Sequence, residues 1–302
     1  MKILTSYIMG FRSASKSKKL ALLIYIITLC LVLCLAIPFG NTIEKETGNS
    51  TAFTSLLKDF DYTVYKDFMN QYSKAVEPYL SVAVWAGFFY LLFTIFFEGG
   101  ILTILKRREK KYSLNTFWKG SAEYFSRFFR LAIYSVAFQI IIFLVIYIPL
   151  VNILDSVYDT VDSEVPLFYI LISGIIIHFI LFIFVLTVTD YSKIMMVEND
   201  NNRPFKTFFK SFAFVLRHFP STYFLYLILL LFPVLLFIIY FKVEGIIGMS
   251  SGIGIFAVFI IQQLFIWCRV FIKIWILGSE LNLYGKFEGR EKQIKKIPVF
   301  EV

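Results

Sequence analysis

Histidine is nearly missing from this chain, with two in 302 residues, and cysteine occurs three times. Two imidazoles, one of them His218 at the edge of an apolar run, cannot build a His-based metal centre. Cys30, Cys34 and Cys268 show neither paired zinc spacing nor a disulfide framework. Each cysteine falls inside a long apolar run, the placement of a small packing residue. Phosphate-cradling glycine loops and the Gly-x-Ser-x-Gly elbow are also lacking. No polar segment is long enough to fold as a soluble catalytic domain. The expectation is therefore a chain with no catalytic centre, cofactor or metal. An intramembrane enzyme built on Asp190 or Glu98 is the one catalytic alternative.

Charge is scarce as well, at 17 % of residues against about 25 % in globular proteins. What replaces it is apolar: 58 % of the chain, including 36 phenylalanines. A helix crossing a bilayer needs about 20 apolar residues at 1.5 Å each, and six charge-free runs of 20 to 25 residues meet that length. The fold class that follows is all-α, a polytopic protein forming one membrane domain over 1–302. Its spans are expected at 20–40, 78–97, 131–152, 166–189, 220–241 and 246–279. The first run follows Lys16, Lys18 and Lys19 like a signal peptide, but it is too long and lacks a small-residue cleavage site, so it reads as a retained span.

Basic residues divide unevenly between the two sides. The segments 1–19, 98–130, 190–217 and 269–302 carry 25 of the 30 Lys and Arg residues. The positive-inside rule then places both termini in the cytoplasm. The net charge of +9 is mostly topology and does not call for nucleic acid. A basic cytoplasmic rim attracts anionic lipid head groups.

Amphipathic stretches precede the odd-numbered spans. Phe205, Phe208, Phe209, Phe212, Leu216 and Phe219 share a helical face from which Lys206, Lys210 and Arg217 are excluded. Asn202 and Pro204 read as its cap and first turn. Phe117, Trp118, Ala122, Phe125, Phe128 and Phe129 repeat the pattern, and 116–128 aligns with 207–219 at an offset of 91 with five of thirteen positions identical. Ile3, Leu4, Tyr7, Ile8 and Phe11 form a third example. The unit of interfacial helix, outward span, outer loop and inward span thus occurs three times, as internal duplication in a transporter or as plain topological anchoring. Between the first two spans, 54–77 carries Leu56, Phe60, Val64, Phe68, Tyr72 and Val76 at four-residue spacing. That is an outer amphipathic helix, lying on the membrane, capping the bundle or binding a protein partner. Asn49-Ser50-Thr51 fits a glycosylation acceptor, and the loop with Asp155, Asp159, Asp162 and Glu164 is acidic.

Each inward span meets its first charge after about one bilayer thickness, at Glu98, Asp190 and Arg269, with apolar sequence resuming beyond. Asp190 and Lys193 are three apart and Arg269 and Lys273 four apart, so each pair shares a helix face. Ionisable groups at this depth persist when paired or functional. The expectation is a charge cluster of Glu98, Asp190, Lys193, Arg269 and Lys273, in which a carboxylate faces the Arg269 guanidinium. It serves as a structural clamp, as an anion or head-group site, or as a cation or proton site. Trp267 and Trp275 fit an interfacial belt. Gln139, His178 and Gln262 are the deeper polar residues, read either as interhelical hydrogen-bonding groups or as a polar pathway. Pro233 implies a kink.

The stretches 96–131 and 189–227, with the Asp-Tyr-x-Lys turn and the Phe-Val-Leu-Arg-His run, resemble uncharacterised six-span bacterial membrane proteins. These in turn are similar to the membrane domain of some glycerophosphoryl diester phosphodiesterases, whose soluble hydrolase domain has no counterpart here. The resemblance implies a bacterial inner-membrane protein without hydrolase activity. Taken together the sequence points to a non-catalytic membrane protein engaging lipid or a protein partner, with small-solute or lipid transport as the alternative.

Overall fold

The computed structural model describes residues 2–47, 61–107, 113–158, 160–161, 163–247 and 251–294, with side chains as far as residue 289. Eight helices account for nearly all of them: α1 (Lys2–Lys16), α2 (Lys18–Thr47), α3 (Tyr62–Lys106), α4 (Leu114–Tyr158), α5 (Val165–Asn199), α6 (Pro204–Arg217), α7 (Phe219–Ile247) and α8 (Gly252–Ile294). No strand occurs among the described residues. Six helices, α2, α3, α4, α5, α7 and α8, are long and apolar enough to cross a membrane. The chain is an integral membrane protein of all-α class.

Helix boundaries depart from the expected pattern in an informative way. The described part of the stripe before the second span is no separate helix: from Tyr62 it forms the first turns of α3, which continues through Pro78. Leu56 and Phe60 lie outside the described residues, as do the Asn49-Ser50-Thr51 triplet, Asp159, Asp162 and 248–250. With 45 residues, α3 is about 68 Å long, far more than the roughly 30 Å of hydrocarbon. Its upper part leans on α2, where the Tyr79 hydroxyl is 2.7 Å from Thr42 Oγ1 and donates to the Pro38 carbonyl at 3.3 Å. Phe39 packs on the same ring at 5.4 Å. Pro38 and Pro78 each remove one backbone donor, and these contacts join the two helices at that level.

The amphipathic stretch before the third span is likewise fused, giving the single 45-residue α4. By contrast α1 and α6 are separate helices. After α6 the chain turns at His218, and Pro220 explains the break, since it has no N–H to continue the ladder from Leu216. At the other end Pro204 occupies the first turn as expected, but the capping position is Arg203, not Asn202. Asn201 organises the entry, accepting from the Arg203 N–H at 3.1 Å and donating to Thr207 Oγ1 at 3.0 Å.

The chain folds into two compact units, each built from separated stretches. One comprises Met1–Arg12, Glu98–Ile228 and Ile276–Val302, the other Ser13–Phe97 and Leu229–Trp275. In the first, the C-terminal half of α5 is the core. In the second, Trp275 is 6 % exposed and packs on Phe232 at 4.7 Å. It is a core residue there and not the belt residue expected. Cys30 and Cys34 also differ from expectation, being exposed on α2.

Candidate functional site

Residues Thr187 to Val197 of α5 are all buried, on every side of the helix. Such a segment needs partners for its polar groups, and four neighbouring helices supply several of them. From α4, Ser135 Oγ accepts from the Thr189 hydroxyl at 3.0 Å. From α6, the Ser211 hydroxyl donates to the Val188 carbonyl at 2.8 Å. From α8, the Tyr284 hydroxyl accepts from Asn199 at 3.3 Å. From α3, the Lys106 ammonium donates to the Val197 and Glu198 carbonyls at 2.6 and 3.2 Å. A cation at these last-turn carbonyls also suits the negative end of the helix dipole. The helix then closes at Asp200 in left-handed conformation (φ 46°, ψ 46°), whose N–H returns to the Met196 carbonyl.

The charge cluster lies in this buried segment. Lys193 Nζ is 2.8 Å from Asp190 Oδ1 and 2.8 Å from Glu98 Oε2. The three residues are 8, 4 and 5 % exposed. One ammonium thus bridges two carboxylates, using two of its three donors. Asp190 and Lys193 meet because they are three apart on one helix face. Glu98 reaches them at the point where α3 packs against α4 almost backbone to backbone. A Cβ on Gly99 would lie 2.9 Å from the Gly120 carbonyl, and one on Gly100 would overlap Phe117 and Ser121. The Gly99-Gly100 pair after Glu98 is therefore what lets that helix end settle here.

The expected pairing of a carboxylate with Arg269 is replaced by this lysine bridge. Arg269 belongs to the second unit, where its guanidinium donates to the Tyr90 hydroxyl and lies 5.8 Å from the centre of that ring. A planar, weakly hydrated guanidinium accepts an aromatic partner readily. Lys273, one turn further along α8, is half-buried in the same unit.

A third buried carboxylate went unrecognised in the sequence. Glu280 of α8 is fully buried in the first unit, and with Asp190 it acts electrostatically on the buried Tyr191 hydroxyl. Its neighbour Ser279 packs directly on Gly10 of α1. A signal existed: Glu98, Asp190 and Glu280 stand 92 and 90 residues apart, close to the offset that aligns the amphipathic stretches. Taking the first charge of each span selected Arg269 in its place.

The deeper polar residues occupy separate helix contacts. Gln139 of α4 donates to the Phe182 carbonyl of α5 at 3.2 Å. His178 stands among Phe143, Tyr147 and Phe182, with ring centres 5.5 to 6.3 Å away. In the second unit Gln262 donates to the Tyr240 hydroxyl at 3.3 Å, and Gln263 accepts from Tyr25 at 3.0 Å. The three glutamines make the interhelical bonds expected of such groups, whereas His178 is held by ring contacts.

Two cavities flank α6. The larger, about 470 Å³, is walled by Phe138 and Ile142 of α4, by α5 from Ile180 to Val188, by Phe208, Phe212 and Leu216 of α6, and by Phe219 and Tyr223. The second, about 310 Å³, lies on the other side of α6 and is lined by Asn199, Lys210, Phe214, Arg217, Tyr284 and Glu288 with Met195 and Ala213. Neither includes a member of the charge cluster or of the deeper polar set. No group of three or more His, Cys, Asp or Glu suited to a metal ion occurs among the described residues. No family model, curated protein or solved structure matches this chain.

Proposed function

We propose that this is a non-catalytic protein of the bacterial cytoplasmic membrane, with both termini inside, that engages lipids carrying anionic head groups. The observation that carries this reading is the three-sided character of α6. One side, Thr207, Phe208, Ser211 and Val215, is buried in the protein. A second, Phe205, Phe209, Phe212 and Leu216, is apolar and exposed. A third carries Lys206, Lys210 and Arg217, all exposed. A helix anchored on one side, greasy on the next and basic on the last suits the boundary between acyl chains and head groups. Trp118 and Phe129 with Lys119 and Arg130 on α4 have the same character, as do Leu4, Ile8 and Phe11 with Arg12 on α1. With the near-equal spacing of Glu98, Asp190 and Glu280, this supports a threefold repeat of hairpins.

Glu98, Asp190 and Lys193 act as a clamp in this reading, since they are tightly buried and satisfy one another. Transport of a small solute or lipid is the second reading, favoured by the charged lining of the 310 Å³ cavity. Native mass spectrometry of the detergent-extracted chain tests the first. Retained phospholipid, anionic in preference to zwitterionic when both are supplied equally, is the expected result. A chain that carries no phospholipid and shows no preference overturns it.

A further inference from the structure

The 470 Å³ cavity has a chemistry that selects its occupant. Its walls are aliphatic and aromatic throughout, and the one hydroxyl among them, that of Tyr223, is committed to the Ile180 carbonyl at 3.2 Å. Water gains nothing from such a space, and a polar solute would lose its hydration without compensation. The size falls within the roughly 300–1,000 Å³ of small-molecule sites.

The cavity is also open on one side. Leu181, Phe212 and Leu216 are 36, 39 and 51 % exposed, and the neighbouring exposed residues of α5, Ile176, Ile177 and Ile180, are apolar. In a membrane-spanning helix such residues face hydrocarbon, so the medium at the mouth is acyl chain. α6 adds the second determinant. No basic residue lines the groove, but Lys206, Lys210 and Arg217 stand on the side of α6 next to its exposed apolar residues Phe205, Phe209 and Leu216, and the helix has no acidic residue. A lipid whose tail enters past Leu216 therefore meets positive charge at its phosphate.

We infer that this groove holds one acyl chain of an anionic phospholipid, with the phosphate at the basic edge of α6. The inference rests on the lipid reading above and adds to it a site, a stoichiometry of one lipid per chain and a division of labour. Phe208, Phe212 and Leu216 hold the tail. Lys206, Lys210 and Arg217 choose the head group.

The experiment uses the full chain in vesicles containing an anionic phospholipid with a diazirine at the end of one acyl chain. Light should place the label on groove residues of α5 and α6, and native mass spectrometry should find one retained phospholipid per chain. Filling the groove from its exposed side with Leu181→Trp and Leu216→Trp should lower retention about tenfold, the effect of denying the groove two methylenes. Lys206→Glu with Lys210→Glu should abolish the anionic preference while leaving tail labelling in the groove. Label falling outside the groove, or filled variants retaining as much lipid as the wild type, overturns the inference while the lipid reading stands. A wild-type chain that retains no phospholipid removes both. The labelling arm needs no variant, so poor folding of a tryptophan variant does not blunt the test.

Discussion

The two halves of α5 invert the usual relation between polarity and burial. From Phe168 to Phe182 the helix is almost wholly apolar, and Phe168, Tyr169, Ile175, Ile176, Ile177 and Phe179 are exposed. From Thr187 to Lys193 five of seven residues are polar or charged and all are buried along with their two apolar neighbours. In lipid there is no water to reward an exposed polar group and no hydrophobic force to bury an apolar one. Packing therefore collects where hydrogen-bond partners and small residues are. The polar half became the core because Ser135, Ser211, Lys106 and Glu98 can reach it.

The sharpest way to break this contrast is to remove the cation at its centre. Lys193→Met leaves Glu98 and Asp190 buried without their shared ammonium and should destabilise by about 3–5 kcal/mol, read as a fall in thermal midpoint of the detergent-solubilised chain. Adding Glu98→Gln and Asp190→Asn should recover much of that loss. A triple variant no more stable than the single one would mean that the three residues do not act as one unit.

Next in size is the close approach that delivers Glu98. Gly100→Ala sets a methyl against Phe117 and Ser121 and should cost about 1–3 kcal/mol by overpacking. Gly87→Ala, with open space around it, serves as the matched control and should change stability little. Ser211→Ala removes the bond to the Val188 carbonyl and should cost about 1 kcal/mol. On the apolar half, Ile176→Leu should stay within about 0.5 kcal/mol. A larger loss there than at Ser211 would contradict the inversion.

The smallest effect lies at the end of α5. The Arg127 guanidinium, 2.8 Å from Asp200, holds its carboxyl below the usual carboxylate range by hydrogen bond and charge, with Lys106 helping and slight desolvation opposing. A lowered carboxyl pKa contributes stability that is present above the ordinary value of 3.8 and fades as pH falls through the folded one. Asp200 is exposed, so the contribution is small. Arg127→Gln should move the Asp200 midpoint upward in an NMR titration. An unchanged midpoint would separate the observed contact from any electrostatic role.

Within the site the residue pattern disclosed some members and concealed others. Asp190 and Lys193 were legible as a pair because helix geometry alone brings positions three apart together. Glu98 was legible as a charge at the end of an apolar run. Its partner was not, because Arg269 and Lys193 carry the same charge, and choosing between them needs the actual path of α3 and α8. Glu280 was hidden by the same first-charge logic, which stopped at Arg269. Phe208 and Phe205 looked alike on the amphipathic wheel, yet the fold buries the first and leaves the second exposed.

Hydropathy by itself determined that this protein carries six helices long and apolar enough to cross a membrane, because length and freedom from charge are local properties that bilayer thickness tests directly. It also located the amphipathic stretches, whose periodicity is written in consecutive residues. Only the tertiary structure decided that the stripe from Tyr62 onward runs into α3, that Lys193 is the shared cation, that Arg269 rests on Tyr90, and that a groove lies against α6. Those outcomes depend on which small residues let two backbones close together, and residues far apart along the chain meet only through that packing.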